Sequence, residues 1–238
     1  MKQKVPIAAP ASGSICVELK TRPEPLEIDL NRTAVVIIDM QNGYVSKGGY
    51  IDLCGSDISR YEKIIEPIKT LTDTARSKGL KVIYVVTKHP PDLSDSGGPD
   101  SALWHKDFAL NLKRKHPEWE DTFTLRDTWG SEIINELKPQ EGDIVCEKMR
   151  MTAFYQTNVD TILKTYNLKY LLFTGVATNG CVEASMRDAY NIGYFPILVS
   201  DASGHLGPDF TQAATIHNME ALYGWVATTS DCINAMQA

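Results

Sequence analysis

Three residues in this sequence carry side chains that could act together on an acyl carbon. Cys181 lies in Gly175-Val176-Ala177-Thr178-Asn179-Gly180-Cys181-Val182, Asp39 ends the apolar run Ala34-Val35-Val36-Ile37-Ile38, and Lys148 follows Asp143-Ile144-Val145-Cys146-Glu147. A thiol attacks as the thiolate, or with a base that takes its proton. Asp39 could take that proton and return it to a leaving amine, while the Lys148 charge would favour the thiolate and fix the carboxylate. Cys181 also stands where a strand pattern breaks at glycine and a helical pattern begins. A helix N-terminus carries roughly half a positive charge and unpaired N–H groups, so the position predicts a lowered thiol pKa and donors, at Ala177 and Cys181, for an oxyanion. Each residue alone has a plainer explanation: a turn cap for Asp39, an exposed strand end for Lys148, a small buried thiol for Cys181. Jointly, at three strand ends, they point to hydrolysis of an amide-like carbon–nitrogen bond.

The elements that must position them alternate. Strands are expected at Ala34 to Asp39, Leu80 to Thr87, Asp143 to Lys148, Tyr170 to Gly175, Phe195 to Ser200 and Trp225 to Thr228. Helical periodicity fills the gaps at Ile58 to Lys78, Asn158 to Tyr166, Cys181 to Ile192 and Pro208 to Leu222. Strands and helices in alternation predict an α/β fold, a parallel sheet covered on both faces. Ligands of such sheets bind beyond the carboxyl ends of the strands, where Asp39, Lys148 and the Gly175 to Cys181 turn all fall.

Two segments depart from the alternation. Residues 1–27, interrupted by Pro6, Pro10, Pro23 and Pro25, are expected to form an arm that wraps the domain or is partly disordered, leaving 28–238 as a single domain. A long insertion, about 88–142, holds Trp104, Trp119, Phe123 and Trp129. A structureless loop of that length is unusual, so short helices are expected at Ala102 to Lys113 and Ser131 to Leu137. The aromatic content suggests a lid over the site, a subunit interface or a satellite of the core.

Composition narrows the partners. A net charge of -6 argues against nucleic acid, which demands clustered Lys and Arg. The start lacks the apolar core of a signal peptide, and no run approaches the ~20 apolar residues of a membrane helix, so a soluble cytoplasmic protein is expected. Five scattered cysteines without a CxxC pair suggest neither a disulfide framework nor a zinc site, and no metal or cofactor is expected.

The motifs resemble a known family. Ile37-Ile38-Asp39-Met40-Gln41-Asn42, a lysine ending the third strand, and Gly175-Val176-Ala177-Thr178-Asn179-Gly180-Cys181-Val182 look like the isochorismatase-like cysteine hydrolases, over about Thr33 to Ser230. The resemblance implies a three-layer α/β/α sandwich with a six-stranded parallel sheet, a triad of Asp39, Lys148 and Cys181, and an oligomer. It also implies a cis peptide at Val176-Ala177 that aims the Ala177 N–H into an oxyanion hole. The metal cluster of nicotinamidases is not matched, since Gly48-Gly49-Tyr50-Ile51-Asp52-Leu53 holds no histidine. Within the family the chain is most similar to ureidoacrylate amidohydrolases, through Asp39-Met40-Gln41-Asn42, Gly48-Gly49-Tyr50, Gly97-Gly98-Pro99 through His105-Lys106, and Gly207-Pro208 through Gln212 to Gly224-Trp225-Val226. Biuret and triuret hydrolases share the triad, and Gly180 and Met149-Arg150-Met151 depart from the expected pattern beside the substrate.

A ureido acid needs a cation at one end and amide recognition at the other. Arg150 and Lys88 are the candidates for the carboxylate, Asn42, Tyr44 and Gln212 for the ureido group, and His105 for a contact from the lid. A different class of function, a non-catalytic binding protein on the same fold, is opposed by the intact triad.

Overall fold

Six runs become the strands of one parallel sheet, and the interior ones, rich in Val, Ile and Leu, need no polar alternation because they are buried on both faces. A computed structural model of the chain describes residues 13–238. In chain order β1 (Cys16–Leu19) and β2 (Leu26–Asp29) form an antiparallel ribbon. The main sheet follows with β3 (Thr33–Ile38), β4 (Lys81–Thr87), β5 (Ile144–Lys148), β6 (Tyr170–Val176), β7 (Phe195–Gly204) and β8 (Trp225–Ala227), in the order β5-β4-β3-β6-β7-β8. All five neighbouring pairs are parallel.

Side chains alternate across the sheet and divide the core in two. Along β3, Val35 and Ile37 join one cluster, while Ala34, Val36 and Ile38 join the other. The first face is covered by α3 (Ser59–Ser77), through Ile64, Ile68, Leu71 and Ala75, and by α9 (Thr229–Gln237), through Cys232, Ala235 and Met236. On the second face lie α6 (Val159–Thr165), α7 (Glu183–Asn191) and α8 (Phe210–Asn218), which contribute Val159 and Leu163, Met186 and Ala189, and Ile216. The result is a three-layer α/β/α sandwich. Each fully buried Val, Ile or Leu contributes about 1.5–3 kcal/mol, so β3, buried at all six positions, anchors the sheet.

Residues 1–12 of the expected arm lie outside the described residues. From residue 13 the arm is ordered: β1 pairs with β2, and Arg22 exchanges backbone hydrogen bonds of 2.9 and 3.0 Å with Val226, which covers part of the β8 edge.

Three local expectations need correction. The helix expected over Ala102 to Lys113 is two, α4 (Ala102–Lys106) and α5 (Phe108–Lys115), because extended Asp107 accepts from Leu110 N at 3.0 Å and caps the second. Ser131 to Leu137 is not helical: two 3-10 turns flank an extended link in which Glu132 O accepts from Asn42 N and Ile134 N donates to Met40 O. Tertiary pairing with the chain after β3 outweighs local periodicity there. Finally, α9 was not anticipated, although Thr228 and Asp231 form its capping box. Two short helices, α1 (Asn42–Val45) and α2 (Tyr50–Leu53), complete the connection from β3. The aromatics of the insertion are mostly core: Phe123 is buried beside Tyr50 at 5.2 Å between ring centroids, and Trp104 and Trp119 pack on the first cluster.

Candidate active site

The strand order reverses between β3 and β6, and this is where open α/β sheets leave a crevice. Gly175 keeps the two strand ends close. It has φ +99°, and a Cβ there would lie 2.1 Å from the Ile38 carbonyl oxygen. Asp39 follows Ile38 in the left-handed conformation, φ +52°, which aspartate tolerates. The chain thereby turns its carboxylate over the ends of β4 and β5.

Register brings the partners alongside. Thr87 and Lys148 are paired as the last residues of β4 and β5. The two-residue period places them on the face of Val85 and Cys146, the same face as the core cluster against which Cys181 packs. Beyond β6 the Val176–Ala177 peptide is cis, and Thr178–Val182 form a single wide turn in which Val182 N donates to Ala177 O, five residues back. Such turns widen a helix where function needs it. Cys181 therefore sits in a π turn ahead of α7 and not in the first turn of an ordinary helix. Its carbonyl accepts from Ser185 Oγ at 2.6 Å, and Asn179 clamps Leu206 with two bonds of 2.9 Å.

The polar centre is compact. Lys148 Nζ lies 2.9 Å from Asp39 Oδ2, 3.3 Å from Cys181 Sγ, 2.7 Å from Thr87 Oγ1 and 3.0 Å from the Arg150 carbonyl. Both Lys148 and Asp39 are 1% exposed. Asp39 Oδ1 accepts from Thr87 N and Thr87 Oγ1, each at 2.9 Å, whereas Oδ2 is buried with no partner beyond the ion pair.

Burial alone would depress the Lys148 ammonium, yet Asp39, Cys181 and Tyr44 around it hold its pKa above the usual lysine value. The thiol behaves opposite to the sequence-based expectation. Burial pushes Cys181 up to about 12; Lys148 opposes the shift and Asp39 adds to it. Desolvation outweighs both the adjacent cation and the turn. Cys181 is half-buried at this site, and the raised pKa favours its protonated form beside the Lys148–Asp39 pair.

These groups form the floor of a cavity of about 220 Å³. That is room for a small molecule. Tyr44 and Arg150, both expected to meet a substrate, line it; burial and the neighbouring Asp39 keep the Tyr44 phenol neutral and able to donate. Arg150 is anchored by its Nη1 to Met149 O at 2.7 Å and its Nη2 to Asp95 O at 3.0 Å.

Four other sequence candidates lie outside the lining. Asn42 Nδ2 binds Trp129 O, Lys88 faces Glu147 at 3.8 Å on the far side of β4, His105 holds Pro99 O, and Gln212 Nε2 is within 3.2 Å of Ser203 O. Conversely, the lining includes Thr87, His89 and Asp107, none of which was singled out for the site. His89 is 2% exposed and paired through Nδ1 with Asp95 at 2.7 Å. The insertion reaches the cavity chiefly through Asp107, Phe108 and Ala109 at the break between α4 and α5. Gly180 also lines it, with open space where a side chain would stand: a Cβ would meet only Ala177 Cβ at 3.7 Å and Met151 Sδ at 4.0 Å. Among the described residues no cluster of three His, Cys, Asp or Glu could hold a metal, and no helix is long and apolar enough to cross a membrane.

Known proteins share both sequence and architecture. Ureidoacrylate amidohydrolase of Agrobacterium fabrum is 46% identical over 213 residues, 90% of this chain and 93% of that protein. The enzyme of the same name from Rhizobium rhizogenes is 44% identical over 97% of this chain and 94% of its own length. A cysteine hydrolase from Pseudomonas syringae pv. phaseolicola has a related structure, with a TM-score of 0.74 at 25% identity, covering 88% of this chain and 94% of that one. The isochorismatase domain model matches residues 33–231, and with these relatives it places the chain in the isochorismatase family.

Proposed function

We propose that the protein is a cysteine amidohydrolase that cleaves a ureido carbon–nitrogen bond, with (Z)-3-ureidoacrylate as its substrate. The observation that carries this reading is the contact of Lys148 Nζ with both Asp39 and Cys181 at the floor of a small cavity, in a chain 46% identical to a ureidoacrylate amidohydrolase.

Cys181 is the nucleophile and starts as a neutral thiol. As sulfur bonds to the ureido carbonyl carbon, Asp39 Oδ2, the carboxylate oxygen with a free lone pair, takes the thiol proton. Lys148 holds the carboxylate in place and balances the charge that develops on sulfur. The N–H groups of Ala177 and Cys181 receive the oxyanion. Asp39 then returns the proton to the leaving nitrogen, and water, deprotonated by the same carboxylate, hydrolyses the thioester-like intermediate. The intermediate is a thiocarbamate, so its hydrolysis frees the thiol and a carbamic acid, whose remaining carbon–nitrogen bond breaks on loss of carbon dioxide; the products are aminoacrylate, carbon dioxide and ammonia.

Arg150 in the cavity wall is the cation for the substrate's carboxylate, and Tyr44 donates at the ureido end. The insertion 88–142 serves as a lid through Asp107 to Ala109. The same reading makes the enzyme cytoplasmic and homo-oligomeric; Phe210, 70% exposed, and Leu222, 60% exposed, offer apolar surface a second copy would cover.

A turnover screen of ureidoacrylate, biuret, triuret, N-carbamoyl amino acids and nicotinamide, following ammonia, tests the assignment. Ureidoacrylate should give the highest kcat/KM; preference for biuret or triuret, which lack a carboxylate, would replace it.

A further inference from the structure

Thr87 lies at the centre of the polar cluster, within reach of Lys148 and Asp39, and the chemistry of those two partners fixes the direction of each bond. An ammonium can only donate, so Lys148 Nζ, 2.7 Å away, occupies a lone pair of the Thr87 hydroxyl. The single hydroxyl proton is then free for Asp39 Oδ1 at 2.9 Å, the oxygen that also accepts from Thr87 N. Gln41, wholly buried, fixes the Thr87 backbone in turn: its Oε1 accepts from Thr87 N at 2.8 Å and its Nε2 donates to Thr87 O and Ser131 O, each at 2.8 Å.

The two oxygens of Asp39 are therefore inequivalent. Oδ1 is held by two donors from one residue, while Oδ2 meets only the lysine. We propose that Thr87 is a positioning residue that selects Oδ2 as the oxygen exchanging the proton with Cys181. Its hydroxyl acts through Asp39 and Lys148. This rests on the reading of Asp39 as the base and goes beyond it by assigning how the base is oriented. During turnover Asp39 alternates between carboxylate and acid. In both states Oδ1 keeps its donors, so the proton remains on Oδ2 and does not migrate to Oδ1.

Thr87→Val keeps the shape and the backbone bonds but removes the hydroxyl, and Thr87→Ser keeps the hydroxyl but removes a methyl group. With ureidoacrylate, Thr87→Val should lower kcat by about 10- to 100-fold, the scale of a misplaced catalytic group, with KM changed by less than about threefold. Thr87→Ser should hold kcat within about threefold of the parent, since the donor is retained. A second readout needs no substrate: iodoacetamide alkylation at Cys181, followed by peptide mass at neutral pH, should slow in Thr87→Val in parallel with kcat. Full kcat in a folded Thr87→Val overturns the proposal. So does a folded Thr87→Ser variant whose kcat falls by about 10-fold or more, which would make the site a matter of shape; this outcome stays readable if Thr87→Val does not fold. Asp39→Asn separates the two levels: retained turnover there removes the base and this inference together, whereas its loss with an active Thr87→Val removes this inference alone.

Discussion

Lys148 and Asp39 form a 2.9 Å ion pair with each side chain 1% exposed, one charge supplied by the edge strand β5 and the other from beyond β3. Removing one partner strands the other charge away from water, which typically costs about 3–5 kcal/mol. Lys148→Met should lose stability on that scale in urea unfolding. The double variant Asp39→Asn with Lys148→Met should regain part of it, because neither charge is then left alone. If the single and double variants are equally unstable, the pair is not coupled.

The protonation of Cys181 gives a spectroscopic prediction. An unperturbed thiol titrates near pKa about 8.5, and burial raises this one to about 12. The ultraviolet thiolate absorbance of the parent minus that of Cys181→Ala should be absent at neutral pH and remain so through mildly alkaline pH. A difference already present at neutral pH would show a preformed thiolate and make Asp39 unnecessary as a base. The sign for stability follows: the folded state retains the proton more tightly, so this contribution is complete below the unfolded thiol pKa and is lost as pH rises towards about 12.

Arg150 and Lys88 were equal candidates for a carboxylate contact, and the structure separates them. Arg150 lines the cavity, whereas Lys88 lies outside it near Glu147. Arg150→Gln should raise KM for ureidoacrylate by about 10-fold or more, the worth of a charged hydrogen bond, and spare biuret. Lys88→Gln should move neither. Equal effects on acid and neutral substrates would end the argument for an acid substrate.

Gly175 should be intolerant of any side chain. A Cβ 2.1 Å from the Ile38 carbonyl oxygen, on a residue at φ +99°, would force β3 and β6 apart. Gly175→Ala is expected to lower thermal stability sharply or prevent folding, as a strained position with a backbone clash predicts. A melting temperature near that of the parent would mean that the sheet can yield there.

The central strands β3, β4 and β6 are legible as continuous apolar runs buried on both faces, and the meeting of Asp39, Lys148 and Cys181 is legible because each ends or follows a strand run. The boundary of α5 was not, since Asp107 breaks a helix that periodicity alone continues. Thr87 carried no signal: a threonine ending a strand is ordinary, and its partners appear only once β4 and β5 are in register. Desolvation of the Cys181 thiol carries no motif signal either: neighbouring charges can be read from motifs, whereas burial follows from how the turn packs against the second core cluster. Asn42, Lys88, His105 and Gln212 show the same limit, for their residue types suit substrate contacts while their side chains are engaged elsewhere.

The central claim is that sulfur at Cys181 makes the bond to the ureido carbon. It is tested most directly by ammonia release from ureidoacrylate in Cys181→Ala, with folding checked by circular dichroism. Loss of an essential nucleophile costs on the order of 10⁴-fold or more in kcat, and a fall of that size with the fold intact is the expected result. Turnover within about tenfold of the parent would contradict it, since groups acting as one catalytic unit do not survive the loss of their nucleophile at that rate.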